Sequence, residues 1–423
     1  MGQPVVRPLA DFHARAAQWL FVHFSGVFLS LARDLFPIVA RNGKATVTRY
    51  DDVKEVFLAD DVFGMPYAEK LGVITGGVPF LLARADTPGY RNQREAMRKV
   101  FRAGDIERRL VPRTEAAAER IVAAGNGRID VVELSRNVST EILLDYFGTP
   151  APRDGDIEVW GNRLFESLVH FGKDDRDLAR EVSEYAPALL KYVQDLIDAR
   201  KETRKQAAGN HGVSDHDLDD DDDVLGRCLT RQARDEPGFT DPEIRAALAG
   251  FIVAGPPQPP IVIPKALEQL LRRPKILAEA QAAARRDDDE TLRKYLFEAM
   301  RFDPLAPLLH RVAKRDHLLA DGTLRVTKIK AGTDVKVFFS SAMMDHRRVP
   351  DPKSFNPDRP DSNYLLFGYG LHQCFGYHIN RRVLPVMLKP LLKRARLRRA
   401  DGPEGHLRKQ GFFPEHLVVA FEA

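Results

Sequence analysis

Apolar residues recur at helical spacing through most of this chain. From about Asp105 to Ala207 they return every three or four positions, the period of a helix with one buried face. The same period runs through "PEIRAALAGFIV" and resumes in "KALEQLLRRPKILAEAQAAARR". "DDVKEVFLADDVF" and "RNQREAMRKVF" predict shorter helices. Strand signals are fewer. "IVARNGKATVTRY" predicts a strand pair, with Asn42-Gly43 as the hairpin turn. "GTLRVTKIKAGTDVKVFF" adds short strand-like pieces, and the Gly- and Pro-punctuated "GVITGGVPFLLARADTPGY" predicts a loop. No internal repeat and no clear linker is present. The expectation is one mainly α domain over residues 1–423 with a minor β portion. Residues 1–43 are expected to form an N-terminal apolar helix and the start of that β portion.

One place breaks the helical period. Ala254 to Pro264 reads "AGPPQPPIVIP", with five prolines between two helical patterns. A proline in a helix interior removes a backbone donor and clashes with the preceding turn, at about 3 kcal/mol or more. The plain reading is a loop between two helices.

The uncharged stretch Ala16 to Ala32 is at the short limit for a membrane span. It reads first as a buried N-terminal helix, with a helix on or through a membrane as alternatives. Charged residues make up 29% of the chain and net charge is +4, which demands no nucleic acid. The acidic run "SDHDLDDDDDV" (Ser214 to Val224) lacks the spacing and glycine of a calcium loop, so it reads as solvated chain. Two cysteines, Cys228 and Cys374, give no disulfide framework. A reducing compartment such as the cytoplasm fits, and each thiol is then open to chemistry.

Cys374 lies in "LLFGYGLHQCFGYHINRR", a glycine-rich stretch directly before a helical pattern. A helix N-terminus lowers a thiol pKa. Three chemistries compete here. A dinucleotide loop needs GxGxxG, and Gln373 stands at the third glycine. Zinc could take His372, Cys374 and His378, but no paired CxxC spacing accompanies them. The third is a thiolate bound to haem iron.

"FGYGLHQCFG" resembles the haem-binding signature FxxGxxxCxG of the cytochrome P450 superfamily, through Phe367, Gly370, Cys374 and Gly376, with Gly368 inside it. "FEAMRFDPLAPLLHR" resembles the family's ExxR segment, with Glu298 and Arg301 one helical turn apart. The resemblance implies the family's fold: a helical bundle around a buried haem b, with a small β-rich lobe and Cys374 as the axial thiolate. It implies that Glu298 and Arg301 lock the structure around "FNPDRP" behind the haem. It also assigns Arg94, Arg311 and His372 to the haem propionates. Tyr90 and Asn92 stand where many relatives carry histidine and arginine.

The resemblance also changes the meaning of the prolines. The family's central helix usually carries an acid and an alcohol beside its Ala-Gly pair, thought to position the water that protonates dioxygen. Here Ala254 and Gly255 match, Pro257 takes the acid position and Gln258 the alcohol position. Proline has no proton to give, and glutamine is no acid near neutral pH. Two functions follow. The enzyme takes a substrate whose O–O bond is already reduced, hydrogen peroxide or an organic hydroperoxide, or it remains a monooxygenase with another proton path. A hydroperoxide isomerase or lyase belongs to the first class, and a non-catalytic haem sensor is a third reading. By resemblance the pocket includes Val73, Phe80, Val253, Ala254, Gln258, Leu305 and Ala306, mostly apolar, which suits a lipophilic substrate such as a fatty acid or its hydroperoxide. Arg84 is a candidate for a substrate carboxylate. Arg91, Arg98, Lys99 and Arg102 form a basic stretch suited to an acidic, ferredoxin-type redox partner.

Overall fold

A computed structural model describes residues 26–169, 175–211 and 222–422. Among these the chain divides into two compact units. The smaller runs to Phe63 and returns for Pro307–Ser354; the larger holds Gly64–Ala306 and Phe355–Ala423.

The smaller unit is built on the hairpin that Asn42-Gly43 predicts. Ile38–Arg41 pairs antiparallel with Lys44–Val47, with Arg41 opposite Lys44. Asn42 and Gly43 both take positive φ, 52° and 71°, as a two-residue turn of the favoured hand requires. Lys44–Val47 then runs parallel to Asp334–Val337, which pairs antiparallel with Leu309–Ala313. Ala45, Val47, Val335 and Val337 are buried at alternate positions, the mark of a sheet with one covered face. The Tyr50–Leu58 helix carries buried Val53, Val56 and Phe57. It also buries Asp52, whose carboxylate accepts from the Arg325 guanidinium at 2.9–3.1 Å.

Residues 26–35 are helical, and Arg33 donates to the Ser341 hydroxyl and carbonyl at 3.0 and 3.1 Å. Here the apolar pattern misleads. Phe28 and Leu31 are 67% and 56% exposed, so this part of the expected buried helix is not buried. Residues 16–25 of that stretch lie outside the described residues, as does most of the acidic run beginning at Ser214.

In the larger unit the expected helices form at Val111–Ala124, Val131–Phe147, Ile157–Val169 and Arg176–His211. A short strand, Arg128–Asp130, interrupts the series and pairs with Val418–Ala420. The Tyr377–Lys393 helix packs on Val111–Ala124, and Pro259–Leu271 packs on Val131–Phe147 and Asp289–Phe302. The predicted loop from Gly72 is shorter than its glycines and prolines suggest. Gly72 closes into the Ala68–Ile74 helix, and Pro88 opens the Pro88–Val100 helix, whose N-cap Thr87 accepts from the Tyr90 N–H. Proline at the first helical position loses no bond, because that N–H has no helical partner.

The same rule explains the proline cluster. One helix spans Asp241–Ala254 and the next Pro259–Leu271, so the break is only Gly255–Gln258. Pro256 and Pro257 sit in the break, and Pro259 and Pro260 in the first turn after it. Only Pro264 interrupts an established ladder. The segment Asp241–Leu271 is long and apolar enough to cross a membrane, but 78% of its most apolar window is buried, as in a core helix of a folded protein.

Candidate functional site

The Cys374 loop is shaped by its glycines. Gly368 and Gly370 adopt φ of 72° and 73°, a left-handed conformation that costs other residues 1–2 kcal/mol. The turn they make lets the Cys374 N–H donate to the Phe367 carbonyl at 2.8 Å. The Tyr377–Lys393 helix starts directly behind it, with Tyr377 N–H on the Cys374 carbonyl at 3.1 Å. At Gly376 a Cβ would stand 3.3 Å from the Asn380 amide, which would have to give way, and in ordinary contact with the Cys374 sulfur at 3.7 Å. Burial pushes the Cys374 thiol pKa up; the Gly376 N–H and the charge of Arg94 pull it back only in part. This reverses the lowered pKa expected from the helix N-terminus alone.

Arg94 and Tyr90 face this loop from the Pro88–Val100 helix. The Arg94 guanidinium donates to the Tyr90 hydroxyl at 2.8 Å, and that hydroxyl donates to the Leu371 carbonyl at 2.8 Å. The His372 ring meets the Tyr90 ring edge-on at 5.9 Å. Phe375 packs against Phe101 and Phe251 with ring centroids 5.2 and 5.4 Å apart, fixing the side of the loop next to the cysteine. Thus Tyr90, Arg94, Phe367, Gly368, His372, Cys374 and Gly376 come together in the larger unit. Arg311 lies in the smaller unit, buried, with its guanidinium over the Phe57 ring and donating to the His310 carbonyl at 2.8 Å.

Glu298 and Arg301 are both 0% exposed, and their side chains meet twice, at 2.7 and 2.8 Å. The Glu298 carboxylate also accepts from Asn356 N–H at 3.0 Å, Arg359 at 3.1 Å and the Tyr364 hydroxyl at 3.2 Å. One buried carboxylate therefore ties "FNPDR" and Tyr364, ten residues before Cys374, to the Asp289–Phe302 helix. Burial and the Glu298 charge together push the Tyr364 hydroxyl pKa up, so it stays a donor. Arg359 lies inside the "FNPDRP" stretch that the resemblance ties to Glu298 and Arg301; Tyr364 went unassigned in the sequence, and nothing in its local spacing marks it.

At the proline break the backbone is rewired. Pro256 and Pro257 cannot donate to the Ile252 and Val253 carbonyls. The Ser139 hydroxyl donates to the Pro256 carbonyl at 2.9 Å, and the Gln258 N–H to the Gly255 carbonyl at 3.2 Å. The Gln258 side-chain amide turns back and donates to the Ala254 carbonyl. A Cβ on Gly255 would stand 3.3 Å from Leu143 and 3.7 Å from the Phe147 ring, so glycine suits the close approach of the Val131–Phe147 helix. A cavity of about 10 Å³ beside Pro256 and Pro257 is lined in part by Thr140, Glu158 and Asn162.

The pocket residues divide. Val73 is 53% exposed on the short Ala68–Ile74 helix, whose buried residues are Leu71 and Ile74. Phe80 is buried against the Phe251 ring at 5.2 Å and fills the space over Gly250. Val253 is buried, Ala254 and Leu305 partly so, and Ala306 lies just beyond Leu305. Arg84 lies against Gly89. Three members of the basic stretch have carboxylates of their own: Arg91 with Asp86 at 2.8 Å, Lys99 with Glu236 at 2.9 Å and Arg98 with Glu95 at 3.9 Å. Their field toward a partner is correspondingly reduced.

This donor set separates the metal readings. Among the described residues no three histidine, cysteine or carboxylate side chains gather at one point, so tetrahedral zinc lacks its ligands. One cysteine on a glycine loop, with an amide and an arginine beside it, suits a metal that brings its other ligands with it, as haem iron does.

Comparison with known proteins points the same way. The profile of the family described as Cytochrome P450 matches residues 165–413. A mycinamicin IV hydroxylase/epoxidase from Micromonospora griseorubida is 27% identical over 374 residues, covering 86% of this chain and 84% of its own length. A bifunctional dioxygenase–epoxy alcohol synthase from Pyricularia oryzae is 24% identical over 411 residues, 86% of this chain but 34% of that larger protein. Ligand-free cytochrome P450 TbtJ1 shares the fold with a TM-score of 0.73 and 24% identity, over 93% of this chain and 96% of its own. With more than half the chain inside the family profile, and a cysteine loop that fits the family's haem b, this protein belongs to the cytochrome P450 family of haem-thiolate oxidoreductases acting on small molecules.

Proposed function

We propose that this enzyme processes the O–O bond of a lipophilic hydroperoxide, with a fatty-acid hydroperoxide as the substrate class, rather than activating dioxygen with external electrons. The observation that carries this reading is the break at Gly255–Gln258. Where an acid is usual there is Pro257, with neither side-chain proton nor N–H, and the Gln258 amide is already engaged by the Ala254 carbonyl. A hydroperoxide needs no protonated dioxygen. An unsaturated hydroperoxide and an epoxy alcohol are isomers, so that conversion balances without added electrons or net protons. The Pyricularia oryzae relative, named as a dioxygenase joined to an epoxy alcohol synthase, supports the same direction.

Bound haem b supplies thiolate-ligated iron, which favours O–O cleavage. The chain's own residues do the rest. Cys374 is the thiolate, and its loop is held from behind by the Glu298 network. Arg94, steadied by Tyr90, and His372 would take the propionates. Val253, Ala254, Leu305 and Ala306 give an apolar lining that excludes water from the reacting oxygen atoms. In this reading residues 1–423 act as one catalytic domain in the cytoplasm.

The second reading is a monooxygenase served by a ferredoxin-type partner; the hydroxylase/epoxidase name of the Micromonospora griseorubida relative favours its oxygen-inserting chemistry. The test is anaerobic mixing with a C18 unsaturated fatty-acid hydroperoxide and no reductant. Loss of hydroperoxide that depends on Cys374 supports the proposal. Inertness there, with oxidation only after a ferredoxin, its reductase, NADPH and dioxygen are added, replaces it with the second reading.

A further inference from the structure

Lys265 is a cation in the core of the larger unit. It is 1% exposed and lies seven residues, two helical turns, beyond Gln258 on the same helix face. Its ammonium donates to the Pro304 carbonyl at 2.9 Å and the Leu305 carbonyl at 3.0 Å. Asp303 Oδ1 is 3.7 Å away, and the Phe412 ring centroid 5.7 Å. Lys409 takes the other oxygen of Asp303 at 2.9 Å. Asp303 is thus shared by two lysines, and the two carbonyls are the direct acceptors for Lys265.

Those carbonyls belong to the turn that ends the Asp289–Phe302 helix. Pro304 supplies no N–H to hold the turn, and the chain continues into Leu305 and Ala306. A hydrophobic residue at 265 would satisfy the helix pattern equally well and avoid the burial of a charge. A lysine there is explained by what it grips.

We propose that Lys265 is a positioning residue for the substrate pocket: by holding the Pro304 and Leu305 carbonyls it sets where Leu305 and Ala306 meet the substrate. This rests on the pocket reading of Leu305 and Ala306 given above. Loss of the Lys265 charge weakens both bonds and its attraction to Asp303. Burial lowers the Lys265 pKa to about 8, with Asp303 opposing and Lys409 reinforcing that shift, so the grip loosens just above neutral pH.

The test compares haem-loaded wild type with Lys265→Met and Lys265→Arg. The first readout is amide hydrogen exchange at Leu305 and Ala306 without substrate, which needs no turnover and so stands apart from the hydroperoxide reading. The second is KM and kcat for a C18 fatty-acid hydroperoxide between pH 6.5 and 9.5. Losing two charge-assisted hydrogen bonds predicts about tenfold faster exchange in Lys265→Met at pH 7, with the Asp289–Phe302 helix unchanged. It also predicts KM raised about tenfold with kcat nearly constant, because uniform binding is lost. Wild-type KM rises above pH 8, and Lys265→Met has no such rise. Lys265→Arg keeps a permanent charge, so it keeps slow exchange and loses the rise; it serves where the Met variant does not fold. Unchanged exchange in Lys265→Met, or a rise of KM above pH 8 that persists in Lys265→Arg, overturns the grip. Faster exchange with unchanged KM, or a change in kcat alone, overturns its bearing on substrate.

Discussion

The side-chain amide of Gln258 donates to the carbonyl of Ala254, four residues earlier, across the only break between two core helices of the larger unit's Asp241–Leu271 segment. A side chain thus does what a backbone N–H does in an unbroken helix. The contact stabilises the break and occupies the group that stands in the alcohol position. Structure and lost chemistry come from the same two residues, Pro257 and Gln258.

Restoring the missing groups should therefore move the chemistry. In Pro257→Asp with Gln258→Thr, the aspartate regains an N–H for the Val253 carbonyl and adds an acid. Reductase-driven oxidation by dioxygen should rise about a hundredfold, the low end for a well-placed general acid. The rate of product formation with a ferredoxin pair and saturating NADPH checks this. An unchanged rate places the proton route elsewhere.

Glu298→Gln should destabilise the fold strongly. The carboxylate is buried with Arg301 and Arg359, and an amide removes the negative charge that both guanidinium groups meet there. Breaking such a pair typically costs about 3–5 kcal/mol. Denaturant unfolding should show a large fall in midpoint, and haem content should fall with it. Glu141→Gln, whose partner Arg120 is exposed, should change neither.

Tyr90→Phe isolates one hydroxyl. It bridges Arg94 and the Leu371 carbonyl, at 2.8 Å each, and its loss costs about 1 kcal/mol, since Arg94 also reaches that carbonyl at 3.4 Å. Transfer of haem to apomyoglobin should be several times faster than in wild type. An unchanged rate would show that Tyr90 does not steady Arg94 for the haem.

Lys265 predicts a pH signature in stability itself. Burial lowers its pKa from 10.5 to about 8, so between those values the unfolded chain binds more protons than the folded one. Stability from this group therefore rises as pH increases through that window and is lowest below pH 8, with a span of about 3 kcal/mol. The difference in unfolding free energy between Lys265→Met and wild type should shift in wild type's favour from pH 7 to pH 10. A constant difference would mean that Lys265 titrates normally.

Much of this was legible from the chain. The helical period located the long helices, Asn42-Gly43 located its hairpin, and the cysteine and ExxR motifs led to the family, because each acts over a few consecutive residues. What stayed hidden depends on distant partners. Tyr364 joins Glu298 only because the chain folds back across some sixty residues. That Val73 is exposed on a short helix, with Leu71 and Ile74 buried, is likewise not visible in the chain. The cysteine pKa was misjudged for the same reason: the helix start is visible in sequence, whereas the burial that outweighs it is not. Lys265 reads as an ordinary helix lysine until its two carbonyl partners are placed beside it.

The most direct measurement is a single-turnover reaction of the purified haem protein with a C18 unsaturated fatty-acid hydroperoxide, without dioxygen, reductant or redox partner. The account predicts rapid loss of the hydroperoxide, products of the same elemental composition, and no reaction in Cys374→Ala. An intact hydroperoxide, together with substrate oxidation that requires dioxygen and a ferredoxin pair, would contradict it.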